Sequence, residues 1–345
     1  MRVLLVKLSS FGDVIHALPA LTDAKAALPD LEIDWLVDAA FAGVASVHPA
    51  VGTVYPLALR ELRWPPPRWA GLASSLAALR RELRARRYDL VIDAQGLMKS
   101  AAAARLAGAP VAGLGSASAR EGMASRLYQR TFEVERDLHA VERVRRLFSG
   151  ALGYPLPAGE GSFGLRRGDF KPPERVWLPA RYGLLVPSAS WPSKHWPEER
   201  WQALLAGIAE TGDKTVILWG SAAERERAER LAAGRAGAIV PAERLEGRPL
   251  LGLLAAAAWT AGLDSGLMHL AAALGVPGLW LYGPTDPGLT GPYGSGQRVV
   301  RSTHPAAPCL TRRCTLSPDG LCCMRGIEAR AAVLAWREAR GGGGR

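Results

Sequence analysis

The 345-residue sequence has no apolar run near the roughly 18 residues that a membrane-crossing helix requires; its longest candidate, 250–258, is short and alanine-rich. Arg2 and Lys7 meet Gly12-Asp13 before any long apolar core develops, so the N-terminus reads as a first strand and not as a signal peptide. A cytoplasmic protein is expected, with attachment to a membrane surface left open. No G-x-G-x-x-G follows a strand-like run, and no G-x-x-x-x-G-K-[ST] occurs, which weighs against dinucleotide oxidoreductases and P-loop enzymes. No D-x-D pair stands ready to hold a nucleotide-bound metal. Phosphate charge would then be met by a lysine and by helix dipoles. Acid is scarce: 32 Asp and Glu stand against 43 Lys and Arg, a net charge of +11. That balance suits nucleic acid, an anionic membrane or a phosphorylated substrate, and composition does not choose among them. Cysteine is scarce too. All four lie in "CLTRRCTLSPDGLCC" (309–323). The spacing C-x4-C-x7-CC is not one of the strong zinc patterns, so reduced, packed thiols and no metal site are expected.

What is present is a repeating grammar. Short apolar runs alternate with helical patterns: "RVLLVKL", "IDWLV" followed by a helix-like stretch, and "DLVIDA" leading into "QGLMKSAAAARLAG". The second half repeats it with "YGLLVP", "TVILWG", "WTAGL" and "GLWLYG". Near-continuous apolar strands alternating with helices predict parallel sheets covered on both faces. The pattern lapses between 150 and 180, where Gly, Pro and charge dominate. We expect two α/β domains, 1–160 and 181–325, joined by a linker at 161–180. A C-terminal helix and disordered tail would fill 326–345. Ligands in such sheets sit beyond the carboxyl ends of the strands, and two domains facing each other would leave a cleft between them.

Four second-half features are candidates for a nucleotide pocket. In "PSASWPSKHWPEERW", Ser188 and Ser190 end a strand and Lys194 precedes a helix marked by Pro197, Glu198 and Glu199. A cation and hydroxyls at such a loop suit a phosphate; the plainer role is a solvated lysine beside a capped helix. In "GLDSGLMHLAAALG", Asp264-Ser265-Gly266 opens a helix whose free amides would bind a diphosphate, and His269 lies one turn on along the same face. The plainer role for Asp264 or Ser265 is N-capping, and for His269 a packed polar side chain. Glu224, after "TVILWGSAA", is placed to accept from ribose hydroxyls, or else is surface charge. "YGPTDPG" (282–288) is a rigid turn after a strand.

The first half offers Asp13, in "SSFGDVIH" at the end of the first strand. As an N-cap it lacks a Glu or Gln three residues on, where His16 stands, so no capping box is expected. A carboxylate opposite a nucleotide-held donor is where a base for an incoming nucleophile belongs. From Arg60 to Arg87, eight arginines outnumber Glu61 and Glu82, and "RWPPPRW" (63–69) sets tryptophans beside arginines. That is a solvated helix face, or a surface for an anionic partner.

Together, "KLSSFGDVIHALPALTDA", "IDWLVD", "YDLVIDAQGLMKSA", "HAVERVRRLF", "KHWPEERW", "GLDSGLMHLAAALG" and "YGPTDPGL" resemble the type I lipopolysaccharide heptosyltransferases of the ADP-heptose glycosyltransferase family (family 9), in order and over residues 1 to about 300. The resemblance implies the GT-B fold, two Rossmann-like domains whose parallel sheets face across a cleft. It implies an inverting, metal-independent transfer of L-glycero-D-manno-heptose from ADP-heptose to Kdo of Kdo2-lipid A, with no cofactor. By matching position, Asp13 is the catalytic base. Ala189, Ser190, Lys194, Glu224, Glu243, Asp264, Ser265, Gly266 and His269 bind the donor, and Ser10, Gly12, Arg60, Lys99 and Arg120 bind the acceptor. Ala189 departs from the threonine common there, which removes one hydroxyl contact. The resemblance also implies a peripheral protein on the cytoplasmic face of the inner membrane, with an anionic membrane surface and not nucleic acid as partner. Alternatives are a type II or III heptosyltransferase with another acceptor and, further off, a non-enzymatic nucleic-acid binder. A nucleotide-sugar epimerase or dehydrogenase would need a glycine fingerprint and a Tyr-x-x-x-Lys pair.

Overall fold

The computed structural model describes residues 1–58 and 69–341 and, of 69–73, the backbone alone. Arg60, Arg63, Trp64 and Arg68, and the tail 342–345, lie outside the described residues. The chain forms two compact units, Met1–Leu165 and Arg166–Arg345.

The first unit is a six-stranded parallel sheet in the order β3-β2-β1-β4-β5-β6. Its strands are β1 (Arg2–Val6), β2 (Glu32–Asp38), β3 (Val51–Leu57), β4 (Leu90–Asp93), β5 (Val111–Leu114) and β6 (Arg130–Phe132). Its helices are α1 (Phe11–Ala27), α2 (Ala42–Ala45), α3 (Trp69–Ala85), α4 (Met98–Ala104) and α5 (Ala140–Leu152). The apolar run of β1 is central because Val3 to Val6 are all fully buried, as a strand covered on both faces demands. The helix expected after "IDWLV" is not extended. A short 3₁₀ turn and α2 give way to β3, an edge strand of half-exposed residues that tolerates Pro56 because its outer side needs no ladder. Helices α1 and α5 are tied by a buried ion pair, Arg145 Nε to Asp23 Oδ2 at 2.6 Å. His48, 2 % exposed, accepts the Ala50 N–H at Nδ1 (3.1 Å) and faces Thr22 Oγ1 through Nε2 (3.0 Å). Burial pushes its pKa down to about 4.

The second unit repeats the design in the order β12-β11-β10-β7-β8-β9, again all parallel. Its strands are β7 (Gly183–Val186), β8 (Thr215–Ile217), β9 (Ala238–Ile239), β10 (Trp259–Leu263), β11 (Gly278–Tyr282) and β12 (Gln297–Arg301). Its helices are α6 (Glu198–Ala209), α7 (Ala222–Ala232), α8 (Gly247–Ala256), α9 (Gly266–Ala273), α10 (Pro287–Thr290), α11 (Cys322–Arg325) and α12 (Ala329–Gly341). Tryptophans dominate its core. Trp196 meets Trp201 edge-on at 4.9 Å and Trp259 meets Trp336 at 5.2 Å. Glycine is required at 183, where a Cβ would lie 2.0 Å from the Trp259 ring.

The Gly- and Pro-rich stretch near 161–180 is not a free tether. Gly161 packs where a Cβ would strike Arg145 and Pro19, and Arg167 donates to the carbonyls of Ala255 and Ala257 at 2.7 Å each. Among the described residues no helix is long and apolar enough to cross a membrane.

Candidate active site

Both sheets reverse their strand order beside a central strand, between β1 and β4 in the first unit and between β7 and β10 in the second. Loops diverge at such a point and leave a crevice beyond the strand ends, where ligands bind. Ser10, Gly12 and Asp13 lie after β1, and Ser188, Lys194, Asp264 and Ser265 lie in the loops after β7 and β10.

In the first unit, the loop after β1 is stitched to the loop after β4. Gln95 Oε1 accepts the N–H groups of Leu8 (3.0 Å) and Ser9 (3.1 Å), and Lys7 Nζ donates to the Ala94 carbonyl at 2.8 Å. Ser10 caps α1, and Asp13 is the third residue of the helix. Asp13 Oδ2 accepts from the Ser10 N–H at 2.8 Å and from the Ser10 hydroxyl at 3.0 Å. A capping box is therefore present, contrary to expectation: a shorter acid fills the role reserved for Glu, three residues after a serine rather than at the cap itself. The half-buried carboxylate keeps Oδ1 clear of those bonds. Gly12 lies in the first turn of α1, not in the loop before it.

Two cations, Lys7 and Arg143, feel the Asp13 charge. Burial pushes the Lys7 ammonium pKa down; Asp13 and Asp93 oppose that, while Arg143 and Arg120 add to it. Burial also lowers the Arg143 pKa, the charge of Arg136 lowers it further, and Asp13 works the other way. Arg143 donates to the Ser118 carbonyl at 2.6 Å and Arg136 to the Ala119 carbonyl, which holds both guanidinium groups beside exposed Arg120. Lys99 is exposed in the first turn of α4. Lys7, Arg136 and Arg143 were not singled out from the sequence as site residues. "HAVERVRRLF" contains Arg143, but its helical pattern alone does not say which arginine turns toward the strand ends.

In the second unit, Asp264 is the hub. Its Oδ2 accepts from Lys194 Nζ at 2.6 Å and from Thr285 Oγ1 at 2.8 Å, and its Oδ1 lies 3.1 Å from His269 Nε2. Lys194 also reaches the Asp264 carbonyl at 3.2 Å and stands over the Trp191 ring. Burial opposes the charge of Asp264, but the His269 hydrogen bond and the Lys194 charge outweigh it and hold the carboxyl well below the usual range. Lys194 is thus a half-buried ion-pair partner and not a solvated lysine. His269 packs on Trp280 with ring centres 4.9 Å apart. Thr285 is the member sequence reasoning missed; "YGPTDPG" marked the turn but not its hydroxyl.

Ser265 caps α9 by backbone, and the first helical bond runs from the His269 N–H to the Ser265 carbonyl at 3.1 Å. The amides of Gly266, Leu267 and Met268 precede that bond and have no partner within the helix. The Ser265 hydroxyl is buried without a hydrogen-bond partner, as is that of Ser188 after β7. Three free amides at the positive end of a helix and two orphaned hydroxyls at one switch point make an anion-ready pocket. Ala189 supplies its carbonyl to His195 Nε2 at 3.1 Å, and Ser190 is exposed with its carbonyl 3.4 Å from Arg312. Glu224 sits in the first turn of α7 and accepts the Gly220 N–H at 2.7 Å. Burial lowers the His195 pKa and the Arg227 charge adds to that, while the Ala189 carbonyl and Glu224 work the other way. Glu243 is exposed. Its ion pair is with Arg175 at 3.8 Å, beside a shallow cavity of about 210 Å³ shared with Trp177, Ala242 and Leu245, and not with a member of the Asp264 group.

Comparison with known proteins gives this geometry a family. Residues 76–318 match the signature described as "Glycosyltransferase family 9 (heptosyltransferase)". The chain is 48% identical to the Pseudomonas aeruginosa protein named "Lipopolysaccharide heptosyltransferase 1" over 92% of its own length and 88% of that protein's. The solved "E. coli heptosyltransferase WaaC with ADP" is 38% identical, with a TM-score of 0.85, covering 98% of this chain and 100% of that one. "E. coli heptosyltransferase WaaC with ADP-2-deoxy-2-fluoro heptose" is 42% identical, with a TM-score of 0.76, covering 88% of this chain and 93% of that one. The fold of two parallel six-stranded sheets is the GT-B fold of these neighbours. The chain belongs to glycosyltransferase family 9, the heptosyltransferases.

Proposed function

We propose that the chain transfers L-glycero-D-manno-heptose from ADP-heptose to Kdo of Kdo2-lipid A in lipopolysaccharide core synthesis, with inversion and with no metal ion in the transfer step. One observation carries the mechanism: the half-buried Asp13 carboxylate, its Oδ2 held by Ser10, acts on the charges of Lys7 and Arg143, on a different unit from the anion-ready end of α9. The relatives' names supply the sugar nucleotide and the acceptor pathway.

In this mechanism the acceptor hydroxyl gives its proton to Asp13 Oδ1 while its oxygen forms a bond to the anomeric carbon. The bond from that carbon to the β-phosphate oxygen breaks, and ADP leaves with the electron pair. Ser10 fixes the carboxylate through Oδ2, so the base does not rotate as it works. Lys194, the first amides of α9 and the Ser265 hydroxyl take the leaving charge; such prealigned donors act without reorganising. Asp264 holds Lys194 in place and spends part of its charge, so the helix terminus carries much of the phosphate binding. Glu224 and Glu243 are assigned to the nucleoside. Ser10, Gly12, Arg60, Lys99 and Arg120 are assigned to the acceptor, joined by Arg136 and Arg143. Burial and mutual repulsion raise the energy of that arginine pair, and an acceptor carboxylate or phosphate relieves it. The basic surface also suits peripheral binding to the anionic inner membrane on its cytoplasmic face. Nucleic acid is not assigned as a partner. Arg143→Met tests the acceptor half: KM for Kdo2-lipid A should rise while KM for ADP-heptose stays put. An unchanged acceptor KM counts against the assignment.

A further inference from the structure

The loop after β4 repeats the loop after β10. "AQGLMKSAAAA" (94–104) and "DSGLMHLAAAL" (264–274) align without a gap and share Gly-Leu-Met and three alanines. Both sheets run in one strand order, so β10 holds the place in the second unit that β4 holds in the first. Gln95 thus answers to Ser265, the cap of the anion-ready helix α9.

Gln95 is 8 % exposed, and its Oε1 accepts two backbone N–H groups, of Leu8 at 3.0 Å and of Ser9 at 3.1 Å. Two donors facing one end of the amide decide which end is oxygen. Ser9 adjoins Ser10, whose N–H and hydroxyl Asp13 Oδ2 accepts. Behind Gln95 stands Asp93, fully buried at the end of β4. Its Oδ1 accepts the Gln95 N–H at 2.8 Å and the Gly96 N–H at 3.3 Å. Its Oδ2 accepts the Tyr128 hydroxyl at 2.7 Å and the Ser100 hydroxyl at 2.8 Å. Lys7, which feels the Asp93 charge, bonds instead to the Ala94 carbonyl. A buried acid without a bonded cation adds little net stability. A fully satisfied polar network does fix one arrangement.

We infer that Gln95, braced by Asp93, is a positioning residue for the sugar transfer: its side-chain oxygen fixes the β1–α1 loop and, through Ser10, the direction in which Asp13 presents Oδ1. The inference rests on Asp13 as the base. The same turn also holds the loop of Arg120. The Gly96 carbonyl accepts the Glu121 N–H at 3.0 Å, and Glu121 Oε2 accepts the Met98 N–H at 2.7 Å. Gly96 has a φ of +69°, and a Cβ there would lie 3.4 Å from the Arg120 nitrogen. One short turn therefore sets the loop of the base and the loop of an acceptor cation.

The test is a double-mutant cycle on the full chain, with kcat read by ADP release at saturating ADP-heptose and Kdo2-lipid A. Gln95→Met keeps the length and burial of the side chain and removes its acceptor. It should lower kcat roughly 10–100-fold, the cost of a base displaced by up to about 1 Å. KM for ADP-heptose should stay within about twofold. In the Asp13→Asn background the same change should cost less than about threefold, because a base that is absent cannot be misdirected. Gln95→Glu returns an oxygen to the two N–H groups and should recover kcat to within about fivefold of wild type. Should Gln95→Met not fold, Gln95→Asn, whose oxygen falls one methylene short, carries the same cycle. Equal losses in the two backgrounds would overturn the inference and leave Gln95 a structural residue, with the base assignment intact. Wild-type kcat in Gln95→Met, or a Gln95→Glu enzyme as slow as Gln95→Met, would overturn it as well. Near wild-type turnover in Asp13→Asn alone would overturn the base assignment itself, so that single variant tells the two failures apart.

Discussion

Replacing Asp13 by asparagine separates the two roles that one carboxylate holds. Oδ2 accepts the Ser10 N–H at 2.8 Å and its hydroxyl at 3.0 Å. An asparagine keeps that geometry, since its carbonyl oxygen can accept both the Ser10 N–H and the Ser10 hydroxyl, with the amide at the position of the other carboxylate oxygen. The cap survives, and the cost to folding should stay below about 1 kcal/mol. The base does not survive, because an amide cannot take the acceptor's proton. General-base help contributes roughly 10²–10⁴ in rate, or about 2.7–5.5 kcal/mol of barrier. Asp13→Asn should therefore lower kcat by that factor, with the melting midpoint within about 2 °C of wild type and ADP affinity within about twofold. Ser10→Ala is the mirror variant. It removes one bond to Oδ2, costs stability on the scale of a cap, about 1 kcal/mol, and leaves kcat within roughly an order of magnitude because the base remains. Turnover is read by continuous ADP release and folding by thermal melting. A folded Asp13→Asn enzyme within about threefold of wild-type kcat would refute the base assignment. Equal losses of turnover in the two variants would reduce Asp13 to a cap.

Lys194→Ala should weaken ADP binding by the worth of a charge-assisted hydrogen bond, about 1.5–3 kcal/mol, measured by calorimetry; unchanged affinity counts against it. Asp264→Ala leaves the half-buried Lys194 charge without its partner and should destabilise the second unit by about 1–3 kcal/mol, seen as an early melting transition. His48 is neutral in the fold with its pKa near 4, below its unfolded value of about 6.5. The unfolded chain thus binds the proton first, and stability should fall by about 2–3 kcal/mol as pH drops from about 6.5 to 4. His48→Gln should flatten that stretch of the stability–pH curve. Binding to anionic vesicles should weaken steadily with added salt, as exposed charges are screened; salt-independent binding would count against an electrostatic surface.

Much of the fold is legible because burial on both faces forces the strands to be apolar. Val3–Val6, Leu90–Asp93 and Trp259–Leu263 announce themselves. Edge strands do not, since β3, β9 and β12 are half-exposed and lack that run. Of the second-unit site, Lys194, Asp264, Ser265 and His269 are readable because loop, cap and helix spacing carry them. Thr285 and the Lys194–Asp264 pairing are not, because they join β7, β10 and β11 across the sheet. The same holds for Lys7 and Arg143, whose charges feel Asp13 only after β1, α1 and α5 have packed. The capping box escaped because its acid stands three residues after Ser10, a serine that the sequence offers beside Ser9 with nothing local to choose between them.

The central claim is tested most directly by incubating the full chain with ADP-heptose and Kdo2-lipid A and weighing the lipid product by mass spectrometry. The account predicts a gain of one heptosyl unit on the lipid and one ADP released for each transfer, with the activity surviving a chelator in the assay buffer. A lipid of unchanged mass, with ADP-heptose intact beside folded protein, would contradict it.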